Sequence, residues 1–237
     1  MPPLTEPGEL SALGGALRAL LPDAELRLQA PSLVPELRLW LLADTLGGAP
    51  LEPAVINRIM EDPPYWSFCW ASGQVLARLL LDEPARVRGR TVVDLGSGSA
   101  VVALAAAHAG ASRVIACDLD ARARSVAILN ARENALMIEV AETLEECPDG
   151  TDLFTAADIL YDRENMPLLE TLRRRGEVLL ADSRIRDLDP PGYRYLGSRA
   201  AVTWPDLDES REYGNVRLFH AAGEQGRGGT TARERGQ

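Results

Sequence analysis

The sequence predicts an α/β fold built on an open, mostly parallel sheet with helices on both faces, and three observations carry that expectation. Short β-branched apolar runs alternate with helical stretches of about ten to fifteen residues through the middle of the chain, the signature of repeated βα units. The first of these runs ends in a Gly-x-Gly turn that opens directly into a helix. The last two, 193–204 and 215–221, have no helical period between them, so the sheet should begin parallel and finish with an antiparallel pair.

Composition bounds the rest. The 237 residues, 46% of them hydrophobic, suit one α/β domain with an N-terminal extension. Thirty-five acidic side chains against 25 basic ones leave a formal charge of −10. That disfavours binding by neutralisation of nucleic-acid phosphates or of an anionic membrane. All 25 basic residues are arginine, which, with abundant alanine, glycine and proline, is the composition a GC-rich coding sequence gives. Cys69, Cys117 and Cys147 lie too far apart for a zinc site and are odd in number, which points to a reducing compartment. No metal is expected. Residues 1–9 lack positive charge and no apolar run reaches the ~20 residues of a membrane span, so a cytoplasmic protein is expected; its oligomeric state is not readable from the sequence, and a monomer is the default expectation.

The elements follow in order. Residues 1–61 are Leu-rich but interrupted by Pro22, Pro31, Pro35, Pro50 and Pro53, and are expected as a helical or irregular extension. The fold proper is expected over 62–222. Residues 223–237 carry no large apolar side chain and are expected as a disordered tail. Val75, Leu76, Leu79 and Leu80 recur at helical spacing and predict a helix over 72–81, stopped by Pro84. A strand over 91–95, a small-residue helix over 100–109, a strand over 113–117 and a helix over 121–134 come next. A weak strand at 137–140, a strand at 152–157, a helix at 164–175 and a strand at 177–181 complete the alternation.

The turn Asp94-Leu95-Gly96-Ser97-Gly98-Ser99-Ala100 holds most of the functional information. Gly96 and Gly98 allow a sharp turn and close backbone approach to a ligand, at the carboxyl end of a strand where open α/β sheets bind theirs. A dinucleotide fingerprint would want glycine or alanine in place of Val101, and it does not normally put a carboxylate at Asp94. A nicotinamide-dependent oxidoreductase is therefore disfavoured. Asp94 suits an ammonium group, and Asp118, 22 residues beyond Gly96, suits ribose hydroxyls, with a helix cap as its plain alternative. A ribose joined to an amino acid describes S-adenosylmethionine. His108 and His220 have no catalytic partner nearby in sequence, and Arg173-Arg174-Arg175 reads as a C-terminal helix cap.

The strand and turn Val92-Val93-Asp94-Leu95-Gly96-Ser97-Gly98 resemble motif I of the class I S-adenosylmethionine-dependent methyltransferases. The segment from Pro64 to Gln74, with Trp66, Phe68 and Trp70, resembles the aromatic stretch ahead of motif I in the seven-β-strand protein lysine methyltransferase family. Asp158-Ile159-Leu160-Tyr161 is similar to the D-x-x-Y motif of that family. The likeness is nearest to the electron transfer flavoprotein β-subunit lysine methyltransferases and their bacterial relatives, and it covers about residues 60–185.

The resemblance implies a Rossmann-like class I methyltransferase fold, seven-stranded with a terminal antiparallel strand, and S-adenosylmethionine as cofactor. The acceptor it implies is a lysine of a partner protein, the electron transfer flavoprotein β subunit. It puts Asp94, Gly96 and Gly98 at the methionine moiety, Asp118 at the ribose, Trp70 beside the cofactor with Gln74 nearby, and Asp158 and Tyr161 in the lysine channel as the catalytic pair. Ala100, where the family usually has glycine, and Ser99, where cysteine is frequent, depart from the pattern. The chemistry is consistent: methyl transfer from a sulfonium needs an uncharged amine held in line, which a carboxylate can orient and an aromatic ring can flank. A ribosomal protein lysine or a small-molecule amine stays open as the acceptor, and a non-catalytic cofactor-binding module as the alternative of another class.

Overall fold

The computed structural model describes residues 7–43, 52–206 and 214–224. The expected tail from 225 onward lies outside the described residues. In chain order the elements are α1 (Pro7–Leu20), β1 (Leu26–Gln29), β2 (Leu39–Leu42), α2 (Pro53–Glu61), α3 (Ala71–Asp82), β3 (Thr91–Leu95), α4 (Val101–His108) and β4 (Arg113–Cys117). Then come α5 (Ala121–Glu133), β5 (Glu139–Ala141), β6 (Leu153–Ala157), α6 (Met166–Arg175), β7 (Glu177–Asp182), β8 (Arg194–Ala200) and β9 (Asn215–Ala221).

The main sheet has seven strands in the order β5-β4-β3-β6-β7-β9-β8. Neighbours from β5 to β7 are parallel, and β9 alone is reversed, pairing antiparallel with both β7 and β8. The chain steps from β3 outward to β4 and β5, then returns to the other side of β3 for β6. That reversal makes a topological switch point between β3 and β6, where such sheets leave a crevice at their carboxyl edge. Period-two alternation sends Val92 into the core on one face with Val102 and Leu104, and Val93 into the other with Ile115, Phe154 and Leu180.

Several boundaries differ from expectation, among them the end of β8, which stops at Ala200 while Trp204 pairs in an isolated bridge with Cys69. Helix α6 begins at Met166, two residues late, because Pro167 has no N–H to return to the carbonyl of residue 163; residues Arg163–Asn165 form a 3₁₀ turn instead. Strand β5 begins at Glu139, two residues after the fully solvated Met137.

The reading of residues 1–61 as helical or irregular missed a strand pair. β1 and β2 form a separate antiparallel ladder, Leu26 opposite Leu42 and Gln29 opposite Leu39. Four-residue strands between prolines are too short for alternation to register in sequence. The extension packs onto the domain: Leu13, Leu17, Leu21 and Leu42 share a buried cluster with Trp66, Phe68, Val126 and Leu129. A polar tie reaches further. The Trp40 N–H donates to Asn130 Oδ1 (2.7 Å), and the Asn130 amide donates to the Ser99 carbonyl in the glycine turn (3.0 Å).

Candidate active site

Four aspartates stand along the carboxyl edge of the four central strands: Asp118 just past β4, Asp94 in β3, Asp158 just past β6 and Asp182 at the end of β7. Burial raises the proton affinity of all four above that of an ordinary carboxyl, Asp94 to about 7 and Asp182 to about 6. An edge of poorly solvated carboxylates is a seat for cations. It also carries a stability cost with a definite sign. A folded pKa above the unfolded one means that the stabilisation is complete below about pH 4 and is lost as pH rises to about 7 for Asp94. The thermal midpoint is expected to fall between about pH 5 and 7.5, and Asp94→Asn to flatten that slope. Unfolding scans across the range check this; an equal slope in the variant would contradict it.

Asp94 faces inward. Its Oδ1 accepts from the Thr155 hydroxyl (2.8 Å) and its Oδ2 from the Ala103 N–H in the first turn of α4 (3.1 Å). It therefore locks β3, β6 and the amino end of α4 together, and both oxygens are engaged within the protein. Each oxygen keeps a further lone pair, so these bonds are compatible with the link to a ligand ammonium that the sequence suggested, although the carboxylate is buried beneath the turn. Asp118 faces the turn. Its Oδ2 accepts from Gly98 N–H (2.8 Å) and its Oδ1 from Asp120 N–H (3.0 Å). The capping role considered for Asp118 belongs to Asp120, whose carboxylate accepts from the Arg122 N–H at the start of α5 (2.8 Å).

Gly96 and Gly98 take φ of +66° and +50°, the left-handed region that glycine enters without penalty. A Cβ on Gly96 would stand 2.9 Å from Ile159 Cγ2, so the glycine turn and the Asp158–Tyr161 segment are pressed together. Ser97 Oγ is buried within the turn and has no hydrogen-bond partner among the described residues, a polar atom that a ligand can satisfy.

Ala100 also has φ +62°, which explains why glycine is usual there. Its methyl is fully buried in the core, and that burial of about 0.8 kcal/mol offsets part of the strain of roughly 1–2 kcal/mol. Ala100→Gly is expected to change unfolding free energy by less than about 1 kcal/mol, whereas Ala100→Val should cost roughly 2–4 kcal/mol. Urea denaturation distinguishes them; equal stability of the two variants would contradict this account.

Asp158 is another non-glycine residue in the left-handed region, at φ +52°, and is buried. Strain of this kind gathers where geometry is over-determined, as at active sites. Its Oδ1 accepts from both the N–H (2.8 Å) and the hydroxyl (3.0 Å) of Ser183. Tyr161, three residues on, is 62% exposed and heads a row of rings. Tyr161 and Tyr65 have centroids 5.4 Å apart, Tyr65 and Trp70 5.7 Å, and Trp70 and Phe68 5.5 Å. The Arg184 guanidinium lies 5.3 Å from the Trp70 ring centre. The row begins beside the glycine turn, the Tyr65 carbonyl lying 4.0 Å from where a Gly98 Cβ would be.

The structure thus gathers Asp94, Gly96, Gly98, Asp118, Asp158, Tyr161 and Trp70 at one edge. Gln74 is drawn differently: it is fully buried and its amide donates to the Cys69 (3.1 Å) and Val202 (2.7 Å) carbonyls, so it ties the aromatic segment down. Trp66 and Phe68 are buried under α1 and α5. His220 pairs with Glu177 (2.9 Å) at the start of β7, the end of that strand away from the aspartates. Sequence reasoning missed Tyr65, Asp182 and Ser183. Asp182 had a signal, an aspartate closing a strand as the other three do; Ser183 had none. Among the described residues no group of His, Cys, Asp and Glu could hold a metal.

The sheet order and the glycine turn at the carboxyl end of β3 define the class I methyltransferase fold. The 16S rRNA N2 G1207 methyltransferase of T. thermophilus, solved with AdoMet and guanosine, superposes with a TM-score of 0.53 at 15% identity over 79% of this chain and 47% of that one. Residues 76–162 match the family model described as ribosomal protein L11 methyltransferase (PrmA). The electron transfer flavoprotein beta subunit lysine methyltransferase of Xenopus laevis is 34% identical over 192 residues, 77% of each chain. The chain belongs to that family. The human member is 36% identical over 166 residues, 66% of this chain and 60% of its own; alignments with the mouse and rat members cover 41% of theirs.

Proposed function

We propose that the chain transfers methyl groups from S-adenosylmethionine to lysine side chains of a partner protein, the electron transfer flavoprotein β subunit. The observation that carries the reading is the meeting of two motifs, the glycine turn with the half-buried Asp118 and the Asp158–Tyr161 segment, at one carboxyl edge that also holds the buried carboxylates of Asp94, Asp158 and Asp182. The orphan Ser97 hydroxyl and the cation-seeking edge suit a ligand that carries an ammonium and a sulfonium. Bound there, S-adenosylmethionine supplies an electrophilic methyl group.

This chain's residues do the rest. Asp118 exchanges its Gly98 and Asp120 N–H partners in part for ribose hydroxyls. The glycines admit the backbone close to the ligand, and Asp94 lends charge from beneath. Asp158 accepts a hydrogen bond from the incoming lysine and fixes its direction, and Tyr65 and Tyr161 flank its aliphatic stem and exclude water. Transfer takes the neutral amine, so the ammonium must first lose its proton, which can pass to solvent where Tyr65 and Tyr161 are exposed.

Calorimetry should give tight binding of S-adenosylhomocysteine and none of NAD. Incubation with methyl-labelled S-adenosylmethionine should then label the flavoprotein β subunit in preference to ribosomal protein L11 or a free amine. The family model favours L11 as the second reading, and label on L11 alone would select it. The assay has little internal background, since the enzyme contains no lysine.

A further inference from the structure

We propose that Ser183 is a positioning residue for Asp158, and that Asp182 in turn sets Ser183. The inference rests on the reading that Asp158 receives the lysine. β6 and β7 pair in parallel with Ala157 opposite Ala181, so Asp158 and Asp182 come side by side on the edge. Asp182 Oδ1 accepts from the N–H groups of Arg184 (3.1 Å) and Ile185 (2.8 Å), folding the chain into a tight turn directly after β7. That turn aims both donors of Ser183 at Asp158: the N–H and hydroxyl reach Oδ1, and the hydroxyl lies 3.2 Å from Oδ2. One carboxylate oxygen is thereby clamped by two donors, and the plane of the carboxylate is set. The backbone alone does not fix this plane, because χ2 of an aspartate is a broad torsion that only its hydrogen-bond partners set.

The charges around Asp158 are balanced by the same segment. Ser183 and Arg184 from the turn, and Ser72 from α3, favour its ionised form, while burial opposes it. Asp182 adds a second negative charge, and its Oδ2 is buried with no hydrogen-bond partner among the described residues. The two residues of the relay therefore pull Asp158 in opposite directions: the Ser183 hydroxyl draws it toward the carboxylate, and the Asp182 charge toward the acid.

The test compares wild type with Ser183→Ala, Ser183→Thr and Asp182→Asn. Ser183→Ala is expected to lower kcat about tenfold at neutral pH, with S-adenosylhomocysteine affinity unchanged. It should also move the low-pH limb of kcat to higher pH. Ser183→Thr keeps the hydroxyl and should restore both. Asp182→Asn keeps an oxygen for the two turn N–H groups but removes the charge, so its limb should move to lower pH. Carboxyl ¹³C NMR of Asp158, assigned by its loss in Asp158→Asn, reads the same opposite shifts with no methyl acceptor present. Wild-type kcat and titration in Ser183→Ala, or shifts of both variants in one direction, would overturn the inference. Opposite shifts in a wild-type background that transfers no methyl group would overturn the proposed function and leave the relay standing.

Discussion

Asp158→Ala is expected to lower kcat for lysine methylation by about 100-fold or more, while S-adenosylhomocysteine binds within about twofold of wild type. The asymmetry follows from where Asp158 stands. It closes β6 on the side of the crevice that carries Tyr161 and Tyr65, and it makes no hydrogen bond to the glycine turn. Removing it leaves two Ser183 donors without an acceptor but touches none of the bonds among Gly98, Asp118 and Asp120. A nucleophile displaced by about an ångström loses roughly two orders of magnitude in rate. Measured kcat together with calorimetry on the same preparation checks the split. A variant that loses both activity and affinity would place Asp158 in the cofactor site instead.

The converse variant is Asp118→Ala. It should weaken S-adenosylhomocysteine binding by roughly 30–100-fold, the worth of one or two charge-assisted hydrogen bonds, and leave kcat at saturating cofactor within about threefold. The carboxylate already holds the Gly98 and Asp120 N–H groups, so its loss loosens the turn as well as removing ribose acceptors. Asp118→Asn separates the two effects, since an amide oxygen can still accept from one N–H. Affinity that survives both substitutions would mean the ribose lies elsewhere.

Much of this site could be read before the fold. The strands 91–95 and 113–117 agree with the structure to the residue, because each is a compact apolar run closed by a turn or an aspartate. Asp94 and Asp118 could be read from their places within and just after such runs, whereas Asp158 was marked by the resemblance to the D-x-x-Y motif. What stayed hidden depends on pairing between distant segments. Ser183 meets Asp158 only through the β6–β7 register, and no local pattern marks it. Tyr65 was masked by its neighbours: in the aromatic stretch Trp66 and Phe68 go to the core, while Tyr65 and Trp70 turn to the crevice. The inward carboxylate of Asp94 and the buried amide of Gln74 depend on side-chain direction, which composition and spacing do not encode.

The most direct test is fragment-ion mass spectrometry of the electron transfer flavoprotein β subunit after incubation with the enzyme and S-adenosylmethionine. The account predicts added mass in whole methyl increments, confined to lysine side chains and abolished by Asp158→Ala. An unmodified subunit in the presence of enzyme that binds S-adenosylhomocysteine, or methyl groups on residues other than lysine, would contradict it.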